Sequence, residues 1–587
     1  MSRTRKNILI RAAALAPFLL CAFMLVKPMT AKAWTWYKPW TWPVLEDAYY
    51  FVKDIFVDPE EGCKPDNELM VRVMVEGDKD SKEFLSQTAI GWNYAVAKAL
   101  TGKKVQVKLE SNWNARTERM RTQYPSPVEG GSGSDRAWLV LHQYDMGADM
   151  RYKDIPYMNS SSKDYVDAFK DGGIYVPKGC NITVDLNGHR IWRRAEGEYI
   201  DDGEVFHVAE GATLTIVDSD PKHKWDGKPY TGGVIAGGSS NNGGGGLHIK
   251  NGATVYIERG TFYENSSSSE GGAINIDGKN AKLFIDGTKF LNNSASDALI
   301  ERNYGGAIHC DGASMEIRNS TFKSNMADNS GGAIYNELGA FTLRNCTFES
   351  NETKYEGGAL YMYALNGYPR MLLEDNTFEK NKSTLSSAGA IYCDCRRAEV
   401  DIVRTKIKDN FSSNKGGGIC VFGKGIMICD SEITQNTAGN YGAGIYVDSD
   451  GNLNLAGKVN ITGNKLANGK KNNVCLKKGY SSTAYINNGG MLEGSKIGVH
   501  SDKDKLEKDG IMLVENISEF AAKRYFEADD SSNKLDFTGV KEETGFYAAS
   551  MIGGESFTLI ILIVVAAVMI ITVIVLYKLR RKGAADE

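Results

Sequence analysis

Through the middle of the chain, apolar and polar residues alternate in short runs, and each run is broken at a recurring turn. The pairs Val255/Ile257, Leu283/Ile285, Met315/Ile317, Phe341/Leu343, Met371/Leu373, Val400/Ile402 and Ile426/Ile428 each stand seven and five places before a landmark Phe or Ile. A period of two places one face of a β-strand toward an interior, so each run predicts a strand with a single buried face. After each glycine turn the same period returns, as in Ile308/Cys310 and Ile445/Val447.

The landmarks repeat. A small-residue turn ends in Ile274, Ile308, Ile334, Leu360, Ile391, Ile419 and Ile445, written GGAI, GGAL, AGAI, GGGI or GAGI. The second landmark is an apolar residue with Asn three places on. It occurs as Phe262/Asn265, Phe290/Asn293, Phe322/Asn325, Phe348/Asn351, Phe378/Asn381, Ile407/Asn410, Ile433/Asn436 and Ile461/Asn464, with 26 to 32 residues between successive units. Each unit is read as three short strands separated by turns. One such unit buries too little to offset the entropy of ordering it, so the units must stack and hydrogen-bond to one another. Stacking places like over like about 4.8 Å apart. The eight asparagines then form a structural ladder, since an amide both donates and accepts, and Asn tolerates the left-handed backbone of a sharp corner. Asn319, Asn345, Asp375 and Asp430, three residues before a landmark, mark a second corner, and the glycines a third. The fold class is all-β, a right-handed parallel β-helix solenoid.

The paired GGA[ILV] and FxxN motifs over about 245–464 resemble the polymorphic outer-membrane-protein repeat and, more broadly, the pectate-lyase-like right-handed β-helix superfamily. The resemblance implies a surface protein, many members being adhesins. The chlamydial proteins of that group end in a membrane β-barrel, whereas this chain ends in one apolar segment, so export through an outer membrane is not implied.

Less regular coils precede the repeat, with Ile182, Val184 and Leu186 alternating in 172–192 and further strands at 205–208 and 212–217. Trp92, Ala95, Val96, Ala99 and Leu100 recur at helical spacing. The spacing predicts that 87–100 caps the exposed apolar end of the stack. Val105–Leu109 reads as a strand, 114–136 as a loop and 517–527 as a short closing helix. The division is 1–33 signal peptide, 34–170 N-terminal segment with cap and first strands, 171–543 β-helix, 544–556 linker, 557–577 transmembrane helix and 578–587 cytoplasmic tail.

The two ends support that division. Arg3, Arg5, Lys6 and Arg11 precede an apolar stretch and Ala31-Lys32-Ala33, the pattern of a secretory signal. Phe557 to Tyr577 carries no charge and is followed by Lys578, Arg580, Arg581 and Lys582. A helix of that length covers roughly 31 Å, a bilayer core, and basic residues stay cytoplasmic. The expected localisation is therefore the cell membrane, single-pass, with the N-terminal part extracellular, on a bacterium with one membrane.

Composition narrows the function. Residues 34–556 hold 59 Lys+Arg against 71 Asp+Glu, a net of −12, which argues against a nucleic-acid partner. Nine cysteines follow Ala33 without a CxxC pair. Zinc is therefore not expected, and most of these cysteines are read as small buried residues. Asp201-Asp202, Asp218/Asp220 and Asp448/Asp450 are acidic pairs that do not recur at the coil period, and they are read as solvated turns. Asn187-Gly188-His189 is read as a β-turn rather than a catalytic motif. No catalytic residue, metal ligand or cofactor is assigned. The residue after each glycine-turn landmark (Asn275, His309, Tyr335, Tyr361, Tyr392, Cys420 and Tyr446) points outward by alternation. Tyr335, Tyr361, Tyr392 and Tyr446 form a candidate aromatic strip for a glycan or a host or cell-surface protein, with stacking that merely stabilises the coil as the plainer account. Trp34, Trp36, Trp40 and Trp42 fit packing on the cap or contact with a sugar or lipid equally well. The expected function is a membrane-anchored, non-catalytic surface protein with an adhesin-like or interaction role. A surface-tethered polysaccharide lyase or glycoside hydrolase is the alternative.

Overall fold

The computed structural model describes residues 70–77, 84–114, 174–193, 203–241, 243–296, 303–365, 369–423, 425–448, 451–477, 485–501, 514–515 and 517–529. They form an all-β parallel solenoid of about 11 turns. In a regular coil the chain runs through Ile274–Asp277, Lys282–Asp286, Lys289–Leu291 and Ser294–Ala295, and each strand pairs in parallel with its equivalents one coil before and one coil after. The coil thus has four strands, not three. The fourth is a two-residue ladder just past the landmark Asn, too short to show an alternating pattern.

The eight landmark residues line up in register from Phe262 to Ile461, all fully buried. Their phenyl rings stack with centroids 5.1, 4.7, 4.6 and 4.6 Å apart. The alternating Val, Ile, Leu and Met of the preceding strand fill the same continuous core.

Beside the phenyl column runs the asparagine ladder, every member of it buried. Each side-chain amide donates to the carbonyl oxygen of the next. Asn265 Nδ2 donates to Asn293 Oδ1 (3.1 Å), Asn293 to Asn325 (3.0 Å), Asn325 to Asn351 (3.0 Å) and Asn351 to Asn381 (2.9 Å). The chain of donors goes on from Asn381 to Asn410, from Asn410 to Asn436 and from Asn436 to Asn464, each at 2.9 Å. The same Nδ2 donates to a backbone carbonyl of the preceding coil, as from Asn351 to Phe322 (2.9 Å). The ladder continues past Asn464 to Asn473 and ends on the Asp529 carboxylate, which accepts from Asn473 Nδ2.

The backbone expected of these asparagines is corrected. Asn265, Asn293, Asn325, Asn351, Asn381, Asn410, Asn436 and Asn464 do not themselves take the left-handed conformation. The residue before each does: Glu264, Asn292, Ser324, Ser350, Lys380, Asp409 and Gln435 have φ between +50° and +59°, and Gly463 has φ +72°. The corner is turned one step earlier, so that the Asn side chain can point inward. At the second corner Asn319, Asn345, Asp375 and Asp430 do have positive φ.

The glycine turn has two requirements. Gly331 sits at φ +70°, and a Cβ on Gly332 would lie 2.1 Å from the carbonyl oxygen of Gly358 in the next coil. The first position tolerates Ala388 at φ +64°. At the second, Gly332 has no space for a side chain, although the equivalent position near the end of the regular coils holds a buried Ala443.

At the N-terminal end, β1 (Met70–Val75) and β2 (Phe84–Gln87) pair antiparallel, and β1 pairs antiparallel with β3 (Val105–Leu109), which begins the parallel stack. Helix α1 (Thr88–Leu100) buries Trp92, Ala95, Val96 and Ala99 against them, and Trp92 lies 6.0 Å from Trp113 and 6.2 Å from Phe206. Leu100, read with that face, is exposed. Helix α2 (Glu519–Tyr525) packs near the other end, its N-terminus capped by Ser518.

The expected localisation is corrected. Among the described residues no helix is long and apolar enough to cross a membrane: α1 has 13 residues and α2 has 7, and a bilayer core needs about 20. The segments 1–33, 114–136 beyond Asn114, 544–556 and 557–577, and Trp34, Trp36, Trp40 and Trp42, lie outside the described residues.

Replacing Asn351 by Leu leaves the Asn325 amide, the Phe322 carbonyl and the Asn381 amide oxygen short of a buried partner. The expected cost is roughly 2–5 kcal/mol, read as a lower urea midpoint for loss of far-UV circular dichroism.

Candidate functional site

The first strand of each coil has one residue between two inward ones, both apolar except where Asn336 follows Tyr335. In register these outer residues make a column: Tyr175, His207, His248, Asn275, His309, Tyr335, Tyr361, Tyr392, Cys420, Tyr446 and Cys475. They point away from the core, yet most are not open to solvent. Asn275 is 1 % exposed, His309 4 %, Tyr335 8 % and Tyr446 1 %, while Tyr361 and Tyr392 are half-buried. Residues at and just before the glycine turn fold over them: the Tyr304 ring lies tilted against Tyr335 (4.5 Å), and Ala388, at the first turn position, packs with Cys420 and Tyr446. An outward direction therefore does not make these residues an exposed strip.

Tyr335, Tyr361 and Tyr392 stack nearly parallel, with centroids 4.6 and 4.8 Å apart. The ring faces are taken up by neighbours, and Tyr361 and Tyr392 keep part of their side chains accessible while Tyr335 is nearly covered. Burial pushes all three phenols far above their usual range, so they stay protonated donors. Tyr446 is not part of the stack. Cys420 intervenes, and the Tyr392 ring meets Phe422 instead (5.2 Å). Lys415 lies over the Tyr446 ring at 4.5 Å. A second aromatic pair, Tyr256 and Phe284, stacks at 4.9 Å on the outer face of the second strand, with Tyr256 exposed.

Toward the N-terminal end the column becomes titratable. His207 Nδ1 lies 2.6 Å from Glu204 Oε1. His248 Nε2 lies 2.6 Å from Asp277 Oδ2, and Lys250 Nζ donates to the same oxygen at 2.8 Å. Asn275 Nδ2 donates to Asp277 Oδ1 (2.9 Å), and its Oδ1 lies 2.8 Å from His309 Nδ1. Burial is the largest single influence and would raise the Glu204 carboxyl, but the His207 hydrogen bond, a backbone hydrogen bond and the nearby His207 and His248 together hold the group below its ordinary value. At Asp277 the His248 and Lys250 contacts likewise overcome burial, and the shift downward is large. Burial lowers His309 to about 4, only partly offset by Asp277. Among the described residues, Glu204, His207 and His248 form a group that could hold a metal, one donor atom from each lying within 4.8 Å of the others.

Sequence reading found Asn275, His309 and the tyrosines but missed Tyr175, His207 and His248. The signal was there, one residue flanked by apolar ones in Ile174–Val176, Phe206–Val208 and Leu247–Ile249, although the GGAI spelling that marks the register begins only at 271. Asp218 is corrected from a solvated turn to a buried carboxylate. It accepts from the Gly188 and Gly233 amides at 2.8 and 2.7 Å and so joins two loops. Asp448 forms an ion pair with Lys477 (3.1 Å), and Asp201-Asp202 lies outside the described residues. Asn187 and Gly188 both have positive φ and turn the chain between strands 181–185 and 190–192. Among the described residues the cysteines are free, and seven are buried. Burial pushes the Cys180, Cys310 and Cys346 thiols up to about 12, which keeps them protonated and unreactive.

With this geometry in hand, one family comparison bears on the fold. A model described as a right handed beta helix region matches residues 231–364 and 292–466. The matched span coincides with the regular coils, and the fold is a right-handed β-helix. No curated protein and no solved structure gives a match.

His309 sets a pH dependence. The unfolded chain protonates this residue near its ordinary value of 6.5, the folded protein only near 4. Its contribution to stability is complete above about pH 6.5 and is lost as the pH falls toward 4, for a total on the order of 3 kcal/mol. Urea midpoints at pH 7 and pH 4.5 should therefore differ less in His309→Gln than in the wild type.

Proposed function

We propose that this protein is a non-catalytic recognition scaffold with an adhesin-like role, engaging a protein or glycan partner along the flank that carries Tyr335, Tyr361 and Tyr392. The observation that carries this reading is the in-register tyrosine stack, which holds three phenols in a row on one flank with Tyr361 and Tyr392 partly accessible. Tyrosine is suited to such a surface because it couples an apolar body to a polar tip at small entropic cost. The edges favour hydrogen bonding to a partner's polar groups over stacking on ring faces, which are already covered. Resemblance to the polymorphic membrane-protein repeat adds support by analogy, as does the signal-like start over 1–33, which suits an exported chain. Helices α1 and α2 would close the two ends of the stack and keep its strand edges from pairing with other chains.

A second reading, cleavage of an acidic polysaccharide, draws on one cluster. Glu204, Asp277 and Lys250 place two carboxylates and an ammonium beside His207 and His248. Release of unsaturated uronate from pectin or alginate would decide for it.

The test of the first reading is the triple substitution Tyr335→Phe, Tyr361→Phe and Tyr392→Phe, which keeps the ring stack and removes only the hydroxyls. On glycan and cell-surface-protein arrays, binding by the wild type should fall about tenfold or more in the variant at unchanged thermal stability, the scale of one or two lost hydrogen bonds. Equal binding by both proteins would remove this flank as the recognition surface.

A further inference from the structure

We propose that Glu204, His207 and His248 form a binding site for a divalent transition metal of the zinc class. The three side chains come from adjacent coils. His207 and His248 occupy the same register position one coil apart, their ring centroids separated by 5.3 Å, and Glu204 stands three residues before His207. One donor atom from each lies within 4.8 Å of the other two. A tetrahedral zinc ion with bonds of about 2.1 Å holds its ligand atoms about 3.4 Å apart, so closure asks the donor atoms to draw together by at most about 1.4 Å.

The setting suits a metal in three ways. Glu204 and His248 are 5 % and 4 % exposed, so ions compete there with little water. The backbone beneath is fixed: Val205 and Phe206 donate to the carbonyls of Gly245 and Gly246 at 2.8 and 3.0 Å, and a Cβ on Gly245 would meet Ser266 O at 2.4 Å. Asp277 holds Nε2 of His248 at 2.6 Å. With the Nε2 proton given to Asp277, this carboxylate is the outer partner that metal-binding histidines commonly carry, and the imidazole lone pair falls on Nδ1. Two imidazoles and one carboxylate select zinc, cobalt or nickel over calcium and magnesium, which take oxygen ligands. Three protein ligands leave a coordination position open to water or to an oxygen of a bound molecule. The Lys250 ammonium, 2.8 Å from both His248 Nε2 and Asp277 Oδ2, is a nearby positive charge and opposes the metal.

The test uses chelator-treated full-length protein titrated with Zn²⁺ by calorimetry, and with Co²⁺ by absorption spectroscopy. One equivalent of Zn²⁺ is expected to bind saturably and raise the melting temperature. Glu204→Gln and His248→Gln should each weaken binding at least tenfold, Asp277→Asn should weaken it about tenfold, and Lys250→Met should tighten it. His309→Gln, outside the triad, should leave it unchanged. The Co²⁺ form should show ligand-field bands without a thiolate charge-transfer band. Failure of the folded wild-type protein to take up Zn²⁺ saturably would overturn the proposal. So would uptake indifferent to Glu204→Gln and His248→Gln, or a thiolate band placing the metal on cysteine. Should the ligand variants fail to fold, the wild-type cobalt spectrum and the Lys250→Met affinity still decide the question.

Discussion

The structure depends on parallel hydrogen bonding between coils, which places each residue directly over its equivalent. Strand pairing fixes the separation near 4.8 Å, the distance at which two phenyl rings stack and two carboxamides reach each other. The landmark Phe rings and the asparagine ladder are two results of the same spacing, one apolar and one polar. Neither could form within a single coil, because from Phe262 to Asn464 each ring and each ladder amide meets its like in a neighbouring coil. The ladder is also directional: each amide donates forward, and the last donor is received by the Asp529 carboxylate, which needs no donor beyond it.

Register acts on the outer face as it does on the inner. Whatever residue follows the glycine-turn landmark is stacked into a column, so a series of tyrosines becomes a ring stack and a series of histidines becomes a cluster. The corners fold over this column and turn an outer surface into a second, smaller interior. That burial accounts for the chemistry found there. His309 is held neutral, the phenols remain protonated, and Glu204 and Asp277 stay ionised because a histidine, and at Asp277 also Lys250, stands against each. A solenoid of identical coils would have one function along its length. Here the flank changes from carboxylate and imidazole at the N-terminal coils to stacked phenols farther on, which gives it two chemically distinct parts.

Much of the fold was legible in residue spacing. The period of two, the Phe/Asn pair and the glycine turn located the strands, the core column and the ladder because each is a local pattern repeated many times. What remained illegible was local structure without repetition, or contact between segments far apart in the chain. The two-residue fourth strand carries no pattern. The residues that take the left-handed backbone, Glu264, Ser350 and Lys380 among them, share no side-chain type, since geometry rather than chemistry selects the position. Their neighbours Asn265, Asn351 and Asn381 drew that role in the sequence because Asn is suited to it, yet each is held instead by the amide partners of the coils on either side. Asp218 looked like a solvated turn because nothing near it in sequence shows the two amides it accepts from.

The sequence by itself determined that the coils stack and which residues face inward, because alternation and repetition are properties of the chain and the core has no other way to close. Tertiary structure alone decided the surroundings of the outer column. Whether Tyr335 is open or covered, and whether Glu204, His207 and His248 meet, depends on how the corners pass over a neighbouring coil. That path is set by packing between segments a coil apart, as between His207 and His248, 41 residues apart, and no window of local sequence contains it.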